Sequence, residues 1–597
     1  MKRISCFKRL FFISFLILAM GYIFAFSAVA APQNGPAGMA FYTAPTTTGT
    51  HGTLIRYRTS TSVPPGGPSC YSWTIMYYSQ DALGQPNVVT GTVLVPKAYY
   101  SGTRPIISYA VGTHGLVQSW APSIQLENGT DYENSNINAA LNMGYAVLIT
   151  DNPGYTNGSI PTYMAGIAQG HAVLDIVTAA LQIPYISLSS TAKVGIWGYS
   201  QGGQSAAFAG QQQPTYASAI PLAGVAAGGV PAEFFAVANY LDGNNGSAFL
   251  LETVIGLHSQ YPTGIPLDTL VNADGQAAIQ KGLSTGVFEA LFYFMNTKLS
   301  KYVTGNTSLT DLLAIPSVNA TLKAQEIGLT KIKVPVFLYH GTSDEFIPLA
   351  QALDLKTKYC KLSTNTSYMA FPGEHITTQF QAAPYVLSWL TDRFNGKTAS
   401  STCITLNAKP TSTANAVNGD FLFSLKNWTL NGTIHLATLM QDVTLPAKST
   451  MSAVTNMTKN TITGTLSIPD FASTINVLLP LSVAMTIESA APMTGTASLD
   501  NSGNLHINGH MLVNLYINSI DILVPLSLKT KTPIDFPIVF DGPVSSLGDG
   551  SLTFKGTTTF PDMVNDWAII NTVFTALMSG PGQKFTFTVT PPAPKKW

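Results

Sequence analysis

The stretch "KVGIWGYSQGGQ", Lys193 to Gln204, decides the reading of this chain. Apolar and small residues lead into a serine boxed by glycines, Gly198-Tyr199-Ser200-Gln201-Gly202, and a run of small residues follows. Ser200 is either a nucleophile on a sharp strand-to-helix turn or an ordinary serine in a glycine-rich bend. The context favours the first reading, because G-x-S-x-G falls directly after an apolar strand and before a helical pattern. The turn holds the serine at strained backbone angles, and glycines two residues away on each side let neighbouring backbone pass closely. The helix N-terminus then aims amide groups at developing negative charge.

The surroundings of the box alternate. "PIISYAVG" (105–112) and "GYAVLITDNPG" (144–154) read as buried strands, and "AQGHAVLDIVTAALQ" (168–182) has helical spacing. "KVPVFLYHG" (333–341) and "SYMAFPG" (367–373) are further strands, and "PYVLSWLTDRF" (384–394) is a helix. Short apolar runs alternating with helices predict a mainly parallel sheet covered on both faces, an α/β fold. Between about 230 and 330 the rhythm stops. "EFFAVANYL", "AFLLETVIGLHSQY" and "GVFEALFYFMNTKL" are apolar helical segments, expected to form a cap over Ser200 or a satellite core. After a linker-like stretch at 405–418, residues 419–597 alternate apolar with Thr, Ser and Asn, as in "NLHINGHMLVNLYI" and "KFTFTVTPP". They predict a separate all-β domain. The tail "PPAPKKW" is expected to be extended.

A serine nucleophile needs a base, and the base needs an orienting acid. After a strand–serine–helix turn the chain order is serine, acid, histidine. Of nine histidines, His375, His435, His506 and His510 lie beyond the acid candidates. The last three sit in the β-rich region, where a histidine on a strand surface is the ordinary reading. His375, in "AFPGEHITT", follows a strand directly and is the candidate base. "VFLYHGTSDEFIP" supplies Asp344 as the acid, with Glu345 as the fallback. His340 reads as a strand-end residue, and Glu374 is expected to face solvent.

The whole chain is consistent with export. It has 597 residues, enough for more than one domain, and 46% of them are apolar. Charged residues are only 10%, well below the roughly 25% of typical soluble domains. Lys plus Arg balances Asp plus Glu at 30 each, which argues against a nucleic-acid partner. Lys2, Arg3, Lys8 and Arg9 precede an apolar run from about Leu10 to Ala28, and small residues follow at Ala28 and Ala30. That layout reads as a secretory signal over 1–30, with an uncleaved anchor as the alternative. Secretion to the extracellular space, periplasm or cell surface is therefore expected. Cys360 and Cys403 flank one segment and can close a loop, which leaves Cys70 over. With no paired CxxC and no HExxH, no zinc site is expected, and a serine nucleophile with its base and acid needs no metal or organic cofactor.

The serine box, the "HGTSDEFIP" acid turn and the "PGEH" loop resemble the secretory lipase family of α/β-hydrolases, the lipase A type, over about residues 40–403. The resemblance implies an α/β-hydrolase domain over 31–404 with an inserted helical cap, and a triad of Ser200, Asp344 and His375. It also implies a Cys360–Cys403 bridge. "GTHGLVQSWAPS" (112–123) departs from the family, because Trp120 stands where a cysteine is usual, so a second bridge is lost. The oxyanion hole is expected from the amides of Gln201 and of the "GTHG" turn, with Gly115 favoured. The resulting expectation is a secreted lipase or carboxylesterase that forms an acyl-enzyme on Ser200. Lipid or other acyl esters are its partners, and the cap or the β-domain is the possible contact with a lipid surface. An acyltransferase of the same fold, or a binding or adhesion protein with a degenerate hydrolase domain, are the alternatives.

Overall fold

The computed structural model describes residues 32–46, 48–405, 410–412, 420–477, 479–521, 524–549 and 551–597. The expected signal segment, and most of the expected linker, lie outside the described residues. The first layer is an eleven-stranded sheet. Its strands in chain order are β1 (Gln33–Asn34), β2 (Leu54–Thr59), β3 (Cys70–Gln80), β4 (Pro86–Pro96), β5 (Ile106–Ala110), β6 (Ala146–Thr150), β7 (Val194–Tyr199), β8 (Leu222–Gly228), β9 (Val336–Gly341) and β10 (Thr366–Phe371). In space they run β1-β2-β3-β4-β6-β5-β7-β8-β9-β10, and the terminal strand Lys595–Lys596 closes the edge.

From β6 through β10 every pairing is parallel, while β2, β3 and β4 form an antiparallel extension that joins β6. The central strands are buried along their whole length; "VGIWGY" of β7 and "IISYA" of β5 expose no residue. Continuous apolar strands of this kind arise because helices cover both faces of the sheet. One core cluster gathers Ile106, Ile196 and Leu338 with helices Gly166–Ala180 and Gln201–Tyr216. The other gathers Tyr109, Trp197 and Tyr339 with helix Ala383–Phe394.

Seven α-helices between Phe234 and Lys323 are inserted between β8 and β9. They divide their apolar residues. Helix Ser247–Gln260 sends Leu250, Leu251 and Val254 to an apolar cavity of about 90 Å³ inside the insertion. Phe249 of the same helix, with Val287, Phe288 and Leu291 of helix Val287–Phe294, instead reaches the pocket that holds Ser200. The insertion is thus both a cover over Ser200 and a core of its own.

Residues 422–590 form a second, entirely antiparallel sheet of thirteen strands. Alternation governs it. In Asn504–Ile520 buried Leu505, Ile507, Met511, Val513, Leu515 and Ile517 fall at alternate positions over most of the strand, so one face is core and the other is polar. This region is fastened to the first at several places. Phe421 stacks on Phe346, with ring centroids 5.7 Å apart. The turn at Gly503 packs against the ring of Phe288. Finally, the extended tail leaves the second sheet and pairs antiparallel with β10, Met369 opposite Lys596 and Ala370 opposite Lys595. Lys356 Nζ donates to the carbonyl of Trp597 at 2.9 Å. The β-region is therefore held at both ends and across its face.

Candidate active site

Ser200 sits between β7 and helix Gln201–Tyr216 with φ 58° and ψ −120°. A non-glycine residue in that region is strained, and strain of this kind persists only where the surroundings impose it. The surroundings here are glycines. A Cβ on Gly198 would lie 2.1 Å from the Gly202 carbonyl oxygen, and one on Gly202 would lie 1.9 Å from that of Ala110. Only glycine at both positions lets β5, β7 and the helix close around the serine. The helix begins at Gln201, so the first amides of the helix have no intrahelical acceptor.

His375 opens the short helix His375–Gln381 just after β10. Its Nδ1 lies 2.7 Å from Asp344 Oδ2, and its ring is held between Tyr199 (4.9 Å between centroids) and Phe346 (5.4 Å). Asp344 lies in the turn after β9 and is fully buried. The amides of Phe346 (3.0 Å) and Ile347 (2.8 Å) donate to its Oδ1. Burial alone raises a carboxyl pKa, but the neighbouring His375 and His340 charges and these donors reverse the sign, and Asp344 is held below the usual carboxylate range. Ser200 and His375 line one pocket of about 40 Å³, walled by Thr113, Phe249, Phe288, Leu291 and Phe346. No hydrogen bond joins Ser200 to His375 in this structure. Such bonds are often long without substrate and tighten on binding.

Several neighbours differ from the sequence-based expectations. His340 does end β9, but it also lies 3.3 Å from Asp344 Oδ2 and 2.9 Å from the carbonyl oxygen of Ile347, fully buried. Asp344 thus faces two imidazoles. Glu345 Oε2 accepts from the backbone amide of His375 at 3.0 Å; burial and the adjacent carboxylates hold it well above the usual range. Glu374 does not face solvent. It is 4% exposed, because the amide of Ser424, in the β-region, donates to its Oε1 while Thr377 Oγ1 donates to Oε2. Burial pushes it up to about 7.

The "GTHG" turn is braced from behind. His114 is buried, with Nε2 3.0 Å from Asp131 Oδ2 and Nδ1 3.0 Å from the Gly112 carbonyl oxygen. Burial works against its charge, but Asp131 and Glu133 outweigh it and raise His114 to about 9. Glu133 accepts from the Gly112 amide at 2.6 Å and from the Tyr109 hydroxyl. Tyr132 donates to the Thr113 carbonyl at 2.9 Å. Gly115, favoured from sequence, forms a bridge to Gly286 of the helical insertion at φ 108°. Thr113, two residues earlier, is the turn residue that lines the Ser200 pocket. Trp120, where the family usually has a cysteine, lays its indole against Gly286.

Cys360 and Cys403 are disulfide-bonded, with Cα atoms 5.5 Å apart. Cys70 is free and buried, and burial raises its thiol to about 11. His435, His506 and His510 sit on strand surfaces beside Asp442, Asp500 with Asp541, and Asp535 respectively. Among the described residues, no group of three or more His, Cys, Asp or Glu is arranged to hold a metal ion, and no helix is long and apolar enough to cross a membrane.

A parallel sheet with a serine on a strained turn, and a histidine and an aspartate after the next strands, defines an α/β-hydrolase. Its fold resembles Candida antarctica lipase A in its closed state, with a TM-score of 0.55 and 23% identity over 63% of this chain and 90% of that one. Residues 122–402 match the secretory lipase family. Lipase 5 of Candida albicans is 28% identical over 354 residues, 56% of this chain and 74% of the relative. A secreted triacylglycerol lipase of Malassezia furfur is 25% identical over 334 residues, 54% and 70% of the two chains. Over residues 122–402 the chain is similar to the secretory lipases, and its enzyme class is carboxylic ester hydrolase.

Proposed function

We propose that this protein is a secreted lipase or carboxylesterase working through an acyl-enzyme on Ser200. The observation that carries the reading is Ser200 at φ 58° in the same pocket as His375, whose far ring nitrogen faces buried Asp344 at 2.7 Å. His375 takes the Ser200 proton as the hydroxyl attacks the ester carbonyl, then returns it to the leaving alcohol. Water, activated by the same imidazole, releases the acid. Asp344 fixes the tautomer and balances the imidazolium. The Gln201 amide and the Thr113 turn stabilise the oxyanion. Leader residues 1–30 direct export.

The apolar walls argue for acyl esters. Phe249, Val287, Phe288 and Leu291 present hydrocarbon to Ser200, and triacylglycerol, the substrate named for the Malassezia relative, has that chemistry. The pocket is too small for such a substrate in this closed arrangement, so the helical cover must shift for turnover. A fluorophosphonate probe tests the assignment. It should label Ser200 stoichiometrically and abolish hydrolysis of p-nitrophenyl butyrate. An enzyme that stays active when fully labelled, or is labelled at another residue, overturns it.

A further inference from the structure

Beside the catalytic pocket lies a second and larger space. It is a groove of about 630 Å³ between the two sheet regions, within the 300–1,000 Å³ range of small-molecule sites. One wall is the exposed side of helix Asn134–Asn142 with the loops at Pro65 and Gly129. The other is the β-region at Ser502, Asn504 and Ser545. Tyr132 lines both this groove and the Ser200 pocket, so the two spaces meet at one side chain.

The lining differs in kind from the catalytic pocket. Nine of its sixteen residues are Asn, Ser or Thr, and none is Lys, Arg, His or Glu. The one charged residue, Asp131, is already committed: His114 Nε2 is 3.0 Å from its Oδ2, and the Glu133 amide donates to its Oδ1 at 2.8 Å. The groove therefore offers no free charged side chain to an anion or a cation. Carboxamides and hydroxyls both donate and accept, which matches the paired donor and acceptor capacity of an alcohol. Asn138 also ties the helix wall to the loop wall, its Nδ2 donating to the Pro65 carbonyl at 2.8 Å.

We propose that the groove is a binding site for a polyhydroxyl group, a sugar or polyol. The reading rests on ester hydrolysis at Ser200 for one of its two sources, the alcohol half of an acyl ester whose acyl carbonyl reaches Ser200 past Tyr132. The other source is the chain itself. Asn128-Gly129-Thr130 is an N-glycosylation sequence, Asn128 is exposed, and Gly129 and Thr130 line the groove.

Two arms separate the sources. In the first, the full exported chain is made in a host that does not N-glycosylate, and Asn138→Leu and, on the opposite wall, Ser545→Val are assayed. Each should lower kcat/KM for sucrose monolaurate about tenfold, the size expected when partners of a bound hydroxyl become hydrocarbon. Methyl laurate and p-nitrophenyl butyrate should change less than about twofold. In the second arm, the chain is made in a glycosylating host. Endoglycosidase should release the Asn128 glycan several-fold faster from Asn138→Leu than from the unsubstituted chain. Either result supports the site and identifies its occupant. If both variants hydrolyse p-nitrophenyl butyrate normally and neither arm moves, the groove proposal is wrong while ester hydrolysis stands. If the unsubstituted chain does not hydrolyse p-nitrophenyl butyrate, the failure is that of the hydrolase reading, and the glycan arm still tests the groove.

Discussion

The two sheets solve the burial problem differently, and the difference explains where chemistry resides. The parallel sheet is covered on both faces, so its central strands are continuously apolar and its tightest contacts are backbone against backbone, as at Gly198, Gly202 and Ala110. That closeness is what holds Ser200 in a conformation it would not adopt alone. The antiparallel sheet buries one face and alternates; a Cβ on Gly509 would meet nothing nearer than 3.4 Å, although one on Gly495 would lie 2.3 Å from the Asn508 carbonyl oxygen. Its non-glycine residues at positive φ include Met440 and Lys448, which are in turns between strands and away from Ser200. It contributes cover instead: Phe421 behind Phe346, Gly503 against Phe288, and the Ser424 amide on Glu374.

The sharpest way to break this contrast is chemical. Ser200→Ala should lower kcat for a soluble ester by about 10⁴-fold or more and leave the melting temperature nearly unchanged. His506→Ala and His510→Ala, on the polar side of the other sheet, should leave both unchanged. Activity retained in Ser200→Ala would remove the hydrolase region's claim to the chemistry. Glycine substitution probes the packing difference. Gly202→Ala should destabilise by about 3 kcal/mol or more, because the obstacle is a carbonyl oxygen that cannot swing aside. Gly509→Ala should cost less than about 1 kcal/mol; equal losses in urea titrations would erase the distinction.

The third prediction addresses the contact between the regions. Phe421 is fully buried and touches Phe292, Phe346 and Phe423. Phe421→Ala should cost about 3–5 kcal/mol if both regions unfold as one unit. A separate, earlier transition for the β-region, seen by calorimetry, would mean that the contact is weaker than its burial implies. The smallest effect concerns pH. Glu374 is raised to about 7 from an ordinary 4.5 by burial under the β-region. A carboxyl raised on folding contributes stability that is full below about pH 4.5 and is lost as pH rises through about 7. Glu252, buried in the helical insertion and raised to about 8, acts in the same direction. The melting temperature should therefore fall between pH 5 and pH 8, and Glu374→Gln should flatten that fall by about 2 °C.

The same contrast marks what could be read from the sequence. Apolar runs between helices announce a parallel sheet, and the strand–Gly-x-Ser-x-Gly–helix order marks Ser200, because both signals are local. The chain order then narrows the acid and the base to the turns after β9 and β10. Glu374 reads as a surface residue but is buried, because its cover comes from residue 424, which belongs to the other sheet. Which amide of the "GTHG" turn faces Ser200 is not written in the turn itself, because its direction depends on Tyr132, His114 and Glu133. Two residues of a proline- and lysine-rich tail carry no strand signal, since their conformation comes from the exposed edge of β10 that they meet.

That tail has a consequence in time as well as in space. Among the described residues, the strand that carries Phe371 to the His375 loop receives its outer neighbour from Lys595 and Lys596, more than 220 positions later in the sequence. During synthesis the hydrolase region therefore leaves the ribosome with β10 as an open edge, and the edge stays open while the whole antiparallel region is made. An open strand edge is a template for pairing with another chain, so the order of synthesis puts the exposed edge and the growing β-region beside each other for the longest possible time.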